Sequence, residues 1–179
     1  MAKLLILVLL MCSVAAGQDP SATGTASWEK FSSSEGRFTL LSPTKPEAAS
    51  REVDSKVGKL MLYTFSSNSQ VAFLMISYGD YPNAASDSVQ AERILDGVRD
   101  GVIRGSSTSL IAEKQRWIRG YPGREFTGSG KSEGRDISYS WRIYLVGRRL
   151  YQVAGATLAT NAGHPDVAKF LDSFDLIQQ

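Results

Sequence analysis

Residues 135–158 read RDISYSWRIYLVGRRLYQVAGATL, and how this stretch pairs with itself decides the fold. Ile137, Tyr139, Trp141, Ile143 and Leu145 alternate with Ser138, Ser140 and Arg142, the period-two pattern of a strand. Val146-Gly147-Arg148-Arg149 offers a two-residue turn with glycine first, as a type II′ hairpin requires. That turn fixes a register in which Leu145 faces Leu150, Trp141 faces Ala154 and Tyr139 faces Ala156. A large side chain then repeatedly meets a small one, so strands are expected over 135–146 and 149–158.

Working outward, short alternating runs bounded by Gly, Pro, Asn and Ser predict further strands at 36–41, 58–65, 70–78, 108–118 and 121–127. Between Asp87 and Arg104 the period becomes helical, because Ala91, Ile94, Leu95, Val98 and Val102 fall on one stripe. Asp87 as N-cap with Gln90 three residues on fits a capping box, and Gly105 fits a stop. Gly97 and Gly101 inside this helix imply a close approach to the sheet that offsets their poor propensity. A last helix is expected from Pro165, with Val167, Phe170 and Leu171 facing inward.

The chain begins MAKLLILVLLMCSVAAG: one lysine, a short apolar core, then small residues. This is the pattern of a signal peptide over residues 1–17, cleaved after Gly17. The apolar core falls short of the ~20 residues that a membrane-spanning helix needs. Residues 18–27 read as a flexible spacer and 28–179 as a single domain, placed outside the cytoplasm, secreted or periplasmic. Cys12 is the only cysteine, so the mature chain would carry no disulfide. Acylation at Cys12 or a retained signal segment would instead tether the protein to a membrane. A net charge of +2 over 179 residues makes no electrostatic case for nucleic acid.

The run GSGKSEG, 128–134, invites two chemical readings. As a phosphate loop it would need its first glycine at position 125, which is Glu125, and a helix after Ser132, where an alternating strand follows. As a G-x-S-x-G nucleophile turn it offers Ser132 with His164, the only histidine, so a small secreted serine hydrolase is the enzymatic alternative. Lys131 and Glu133 flank that serine in a polar run, unlike a strained strand-to-helix elbow, and a plain exposed turn is the expectation. His164 beside Pro165 fits a helix cap. With one histidine, no transition-metal site or other cofactor is expected.

Arginines crowd the last third of the chain. Arg142, Tyr144, Arg148, Arg149 and Tyr151 are the candidate partner surface, on the strand face opposite Trp141. The same residues could instead line a helix-flanked face and interleave with acids such as Glu113 and Glu125.

W..F.S..GRFTLL.P..P from Trp28, the Tyr78–Pro82 segment, YPGREFTG at 121–128, RIYLVGRRLYQV at 142–153 and KFLDSFDL at 169–176 together resemble secreted bacterial proteins of the PsbP/Mog-like superfamily. The resemblance implies an α+β fold, a central antiparallel sheet flanked by helices in an α-β-α sandwich. It also implies a non-enzymatic role as an accessory domain that binds another extracytoplasmic protein.

Overall fold

The structure is a computed structural model that describes residues 27–55 and 58–177. The expected signal segment, Cys12 and nearly all of the spacer lie outside the described residues. Ten strands and two α-helices follow in the order β1 (Glu29–Ser33), β2 (Phe38–Ser42), β3 (Glu47–Ser55), β4 (Gly58–Asn68), β5 (Ala72–Asp80), α1 (Ser88–Gly105), β6 (Ser109–Ile118), β7 (Tyr121–Ser132), β8 (Arg135–Val146), β9 (Arg149–Leu158), α2 (Pro165–Ser173) and β10 (Asp175–Leu176).

The hairpin that opened the reading is present in its expected register, with Leu145 opposite Leu150, Trp141 opposite Ala154 and Tyr139 opposite Ala156. Gly147 has φ +61° and Arg148 keeps a negative φ, the combination of a type II′ turn. From this pair an antiparallel sheet extends in the order β3-β4-β5-β9-β8-β7-β6. Helix α1 lies on one face, burying Ala91, Leu95, Val98 and Val102 against Phe126, Tyr139, Trp141, Ile143 and Ala154. On the other face Val167, Phe170 and Leu171 of α2, joined by Phe38 and Leu40, meet Leu74, Ile76, Tyr144, Tyr151 and Val153. A three-stranded sheet, β1-β2-β10, shares that second face with α2. The fold is therefore α+β, an antiparallel sheet flanked by helices, with a small sheet in one of the outer layers.

Strands β1, β3 and β10 escape the pattern because little of each is buried on one side only. Along β3 residues 47–54, EAASREVD, are exposed or nearly so, so no apolar alternation was selected. The cap of α1 is as expected in part: the Asp87 carboxylate accepts the Gln90 N–H at 2.8 Å, but Gln90 Oε1 accepts from Ser86 instead of Asp87. Gly105 does not stop the helix. It is the last helical residue, and Ser107 beyond it takes the positive φ, +50°. Gly101 is buried, whereas a Cβ at Gly97 would meet nothing within 4 Å, so that glycine has no packing reason.

GSGKSEG is not one polar loop. Residues 128–132 belong to β7, and the turn is confined to Glu133 and Gly134, with φ +50° and +78°. The two earlier glycines are there for the segment that follows α1. A Cβ on Gly128 would lie 2.4 Å from Thr108 Cγ2 and 2.9 Å from the Ser109 carbonyl oxygen. Glycine here marks a close backbone approach. Gly128→Val should therefore cost about 1–3 kcal/mol in a urea melt, as overpacking does. A melt unchanged from the parent would mean that the 106–109 segment packs elsewhere.

Candidate functional site

The expected Arg and Tyr surface lies on β8, β9 and the turn between them. Arg142, Tyr144, Arg149 and Tyr151 do share a sheet face, but that face is covered by α2 and the small sheet. Tyr151 is 1% exposed and its hydroxyl donates to the Gly36 carbonyl at 2.7 Å; Tyr144 stacks on Phe174 at 5.7 Å. Burial raises the pKa of both phenols. Arg142, also buried, bonds Glu125 through Nε and Asp172 through Nη2, each at 2.6 Å. Arg149 grips the Asp80 carboxylate at 2.7 and 2.9 Å, donates to the Glu35 carbonyl and lies over the Tyr78 ring. The structure thus places four of the five residues inside the fold, the Arg-and-Tyr face serving to dock the second layer. Arg148 alone, in the turn, is exposed.

The Asp80–Arg149 pair has a pH consequence. The Arg149 hydrogen bond holds the Asp80 carboxyl below its ordinary pKa, despite partial burial that acts the other way. A carboxyl depressed by folding contributes stability above its unfolded pKa and loses it as pH falls through the folded value. Asp80→Asn should flatten the acid limb of the stability curve, with the parent and variant converging as pH falls through the depressed folded value. Chemical denaturation at a series of pH values checks this, and parallel curves would refute it.

The hydrolase alternative finds no support in geometry. Ser132 pairs with Arg135 in a continuous ladder, not at a strand-to-helix junction. His164 caps α2, where Nδ1 accepts the Asp166 N–H at 3.3 Å. It lines a cavity of about 170 Å³ with Ser138, Ser140 and Thr157, a lining that does not include Ser132. Among the described residues no group of three or more His, Cys, Asp or Glu is placed to hold a metal ion, and no helix is long and apolar enough to cross a membrane.

The feature that sequence reading missed is the outer edge of β6. Among the described residues it ends the large sheet, with no neighbouring strand on one side of its backbone, and most of its ten residues are exposed. Four of the nine exposed large apolar side chains among the described residues sit here or next to it: Leu110, Ile111 (66% exposed), Trp117 (58%) and Tyr121. Ile111 occupies a bulge between Leu110 and Ala112, beyond which an unbroken ladder runs from Ala112 to Ile118. The charges around the strand are divided by face. Toward α2, Lys114, Arg116 and Arg142 share two carboxylates, Glu125 and Asp172. Toward α1, Arg99 and Arg124 share four: Glu92, Asp96, Asp100 and Glu113. Bonds from Lys114 and Arg142 keep the Glu125 pKa low against its partial burial, so it stays a carboxylate. The alternation of TSLIAEKQRWI had predicted a strand; which strand ends a sheet is not written in a period of two.

No protein-family model and no curated protein matches the chain. Among solved structures, the solution structure of cyanobacterial PsbP (CyanoP) from Synechocystis superposes with a TM-score of 0.50 at 15% identity, over 89% of this chain and 98% of that one. The fold is PsbP-like. A crystal structure from Bacteroides thetaiotaomicron gives a TM-score of 0.47 at 15% identity over 84% of this chain, which spans about half (49%) of that protein. A Pseudomonas aeruginosa protein of unknown function gives 0.40 at 11% identity, over 78% of this chain and 88% of that one. At these identities the likeness is one of fold.

Proposed function

We propose that the chain is an extracytoplasmic, non-enzymatic accessory domain that binds another protein, with residues 28–179 acting as one domain behind a cleaved signal peptide and a spacer. The observation that carries the binding role is the open β6 edge. Large apolar side chains clustered on a strand that is exposed among the described residues mark an interaction surface more often than they mark idle surface. The leader-like pattern of residues 1–17 supports the compartment. Intact mass of protein exported by its native host tests the cleavage, and a diacylated Cys12 would replace the soluble form with a tethered one.

The binding role is tested with a photo-crosslinking amino acid at Ile111 and, as a control, at Ser50 on the opposite edge strand. Expected is a discrete adduct from Ile111 in the native envelope and none from Ser50. Equal labelling at both positions, or covalent capture of Ser132 by a fluorophosphonate that is lost in His164→Ala, would overturn the reading.

A further inference from the structure

We propose that β6 is a docking strand, and that its occupant is an extended segment of another protein, carrying carboxylates at every second residue, which adds to the sheet as an eighth strand. This rests on the protein-binding reading and specifies its geometry. Among the described residues, no neighbouring strand claims the second row of N–H and C=O groups along the ladder from Ala112 to Ile118, and such a row is completed by strand addition. Side chains of an added strand alternate between the two faces, so the charge on each face selects what can sit there. On the α2 face the three cations outnumber the carboxylates they share, and Lys114 is well exposed at the rim. Acidic side chains fit that face. On the other face the strand passes Trp117, which calls for apolar side chains at the alternate positions.

A second copy of this chain is a poor occupant for the same reason. A closed two-fold pairing of β6 with itself is antiparallel, with the axis perpendicular to the sheet, so each face meets its like. A register centred on Glu113 sets Glu113 against itself; one centred on Lys114 sets lysine against lysine; one centred on Gln115 sets Lys114 against Arg116 twice; one centred on Arg116 sets arginine against arginine. Like charges directly opposite destabilise a pair. Registers centred nearer Leu110 run across the Ile111 bulge, where the ladder is interrupted, and one centred on Trp117 or Ile118 engages no more than the last three residues of the strand. The edge is thus closed to itself while open to a strand of complementary charge.

The test uses the full chain with a synthetic decapeptide of alternating glutamate and valine, a lysine–valine counterpart, and the glutamate peptide with its backbone amides N-methylated. Backbone amide NMR and fluorescence anisotropy read the result. Expected are shifts and slowed amide exchange along Ala112–Ile118 with the glutamate peptide alone, and binding at least about tenfold tighter than the lysine peptide, a difference of ~1.4 kcal/mol. Lys114→Glu with Arg116→Glu should invert the preference. Lys114→Gln, which leaves Glu125 paired to Arg116 and Arg142, should weaken it without threatening the fold. Equal binding of the two peptides, retained binding after N-methylation, or shifts centred elsewhere overturn strand addition. If the Ile111 crosslinker captures a partner while the glutamate peptide leaves β6 untouched, strand addition is wrong and the binding surface stands; if both are silent, both fall.

Discussion

Trp141→Ala should destabilise the protein by about 3–5 kcal/mol, the range seen when a large aromatic is removed from a core. Trp141 is the middle of a three-ring stack, 5.3 Å from Phe126 and 5.1 Å from Tyr139, beneath α1. Its cross-strand neighbour on β9 is Ala154, too small to fill the space, so a cavity term adds to the lost transfer free energy. Against a total stability of about 5–15 kcal/mol this is a large fraction. In urea the midpoint should fall while the slope stays near that of the parent. Trp117→Ala is the internal control: Trp117 is mostly exposed on β6 and should change stability by no more than about 0.5 kcal/mol. Similar losses for the two variants would mean that α1 does not cover this face.

The face of Trp141 was legible because both sides of the contact announce themselves: an apolar stripe at helical period on α1, and aromatics alternating with serines on β8. The other face of the same strand was misleading. Arg142, Tyr144, Arg149 and Tyr151 have the composition of a wet surface, yet the polar tips of Arg142, Arg149 and Tyr151 are satisfied by groups remote in sequence, Asp172, Asp80 and the Gly36 carbonyl, and the Tyr144 ring stacks on Phe174. Amphipathic side chains bury their bodies when their tips find partners, and partners 30, 69 and 115 residues away leave no local pattern. The covering layer was itself hard to see, since β1 contributes one apolar residue, Phe31, and β10 spans two residues. For the candidate site, the apolar residues of β6 were visible but not their exposure, which follows from β6 being last in the sheet.

That second layer supplies the other large effect. Phe38 on β2 is fully buried and touches five aromatic rings, those of Phe31, Phe65, Tyr78, Tyr151 and Phe174, at centroid distances of 5.8–6.4 Å. Three belong to the large sheet, one to its own small sheet, and Phe174 to the segment leaving α2, so the ring ties the outer layer to the central one. Gly36 lies against it so closely that a Cβ there would come within 2.5 Å of the ring. Phe38→Ala should cost about 3–5 kcal/mol. Where the loss falls distinguishes two ways of building the molecule. If the small sheet is held chiefly by this ring, hydrogen exchange should quicken in β1, β2 and β10 well before β8 and β9, as a locally opening unit does. Tyr151→Phe, which keeps the ring and removes the bond to Gly36, should cost only about 1 kcal/mol and leave that order of protection intact. Uniform acceleration across both sheets in Phe38→Ala would instead make the two sheets one cooperative unit, with the Arg142, Tyr144, Arg149 and Tyr151 contacts holding the layers together after the ring is gone.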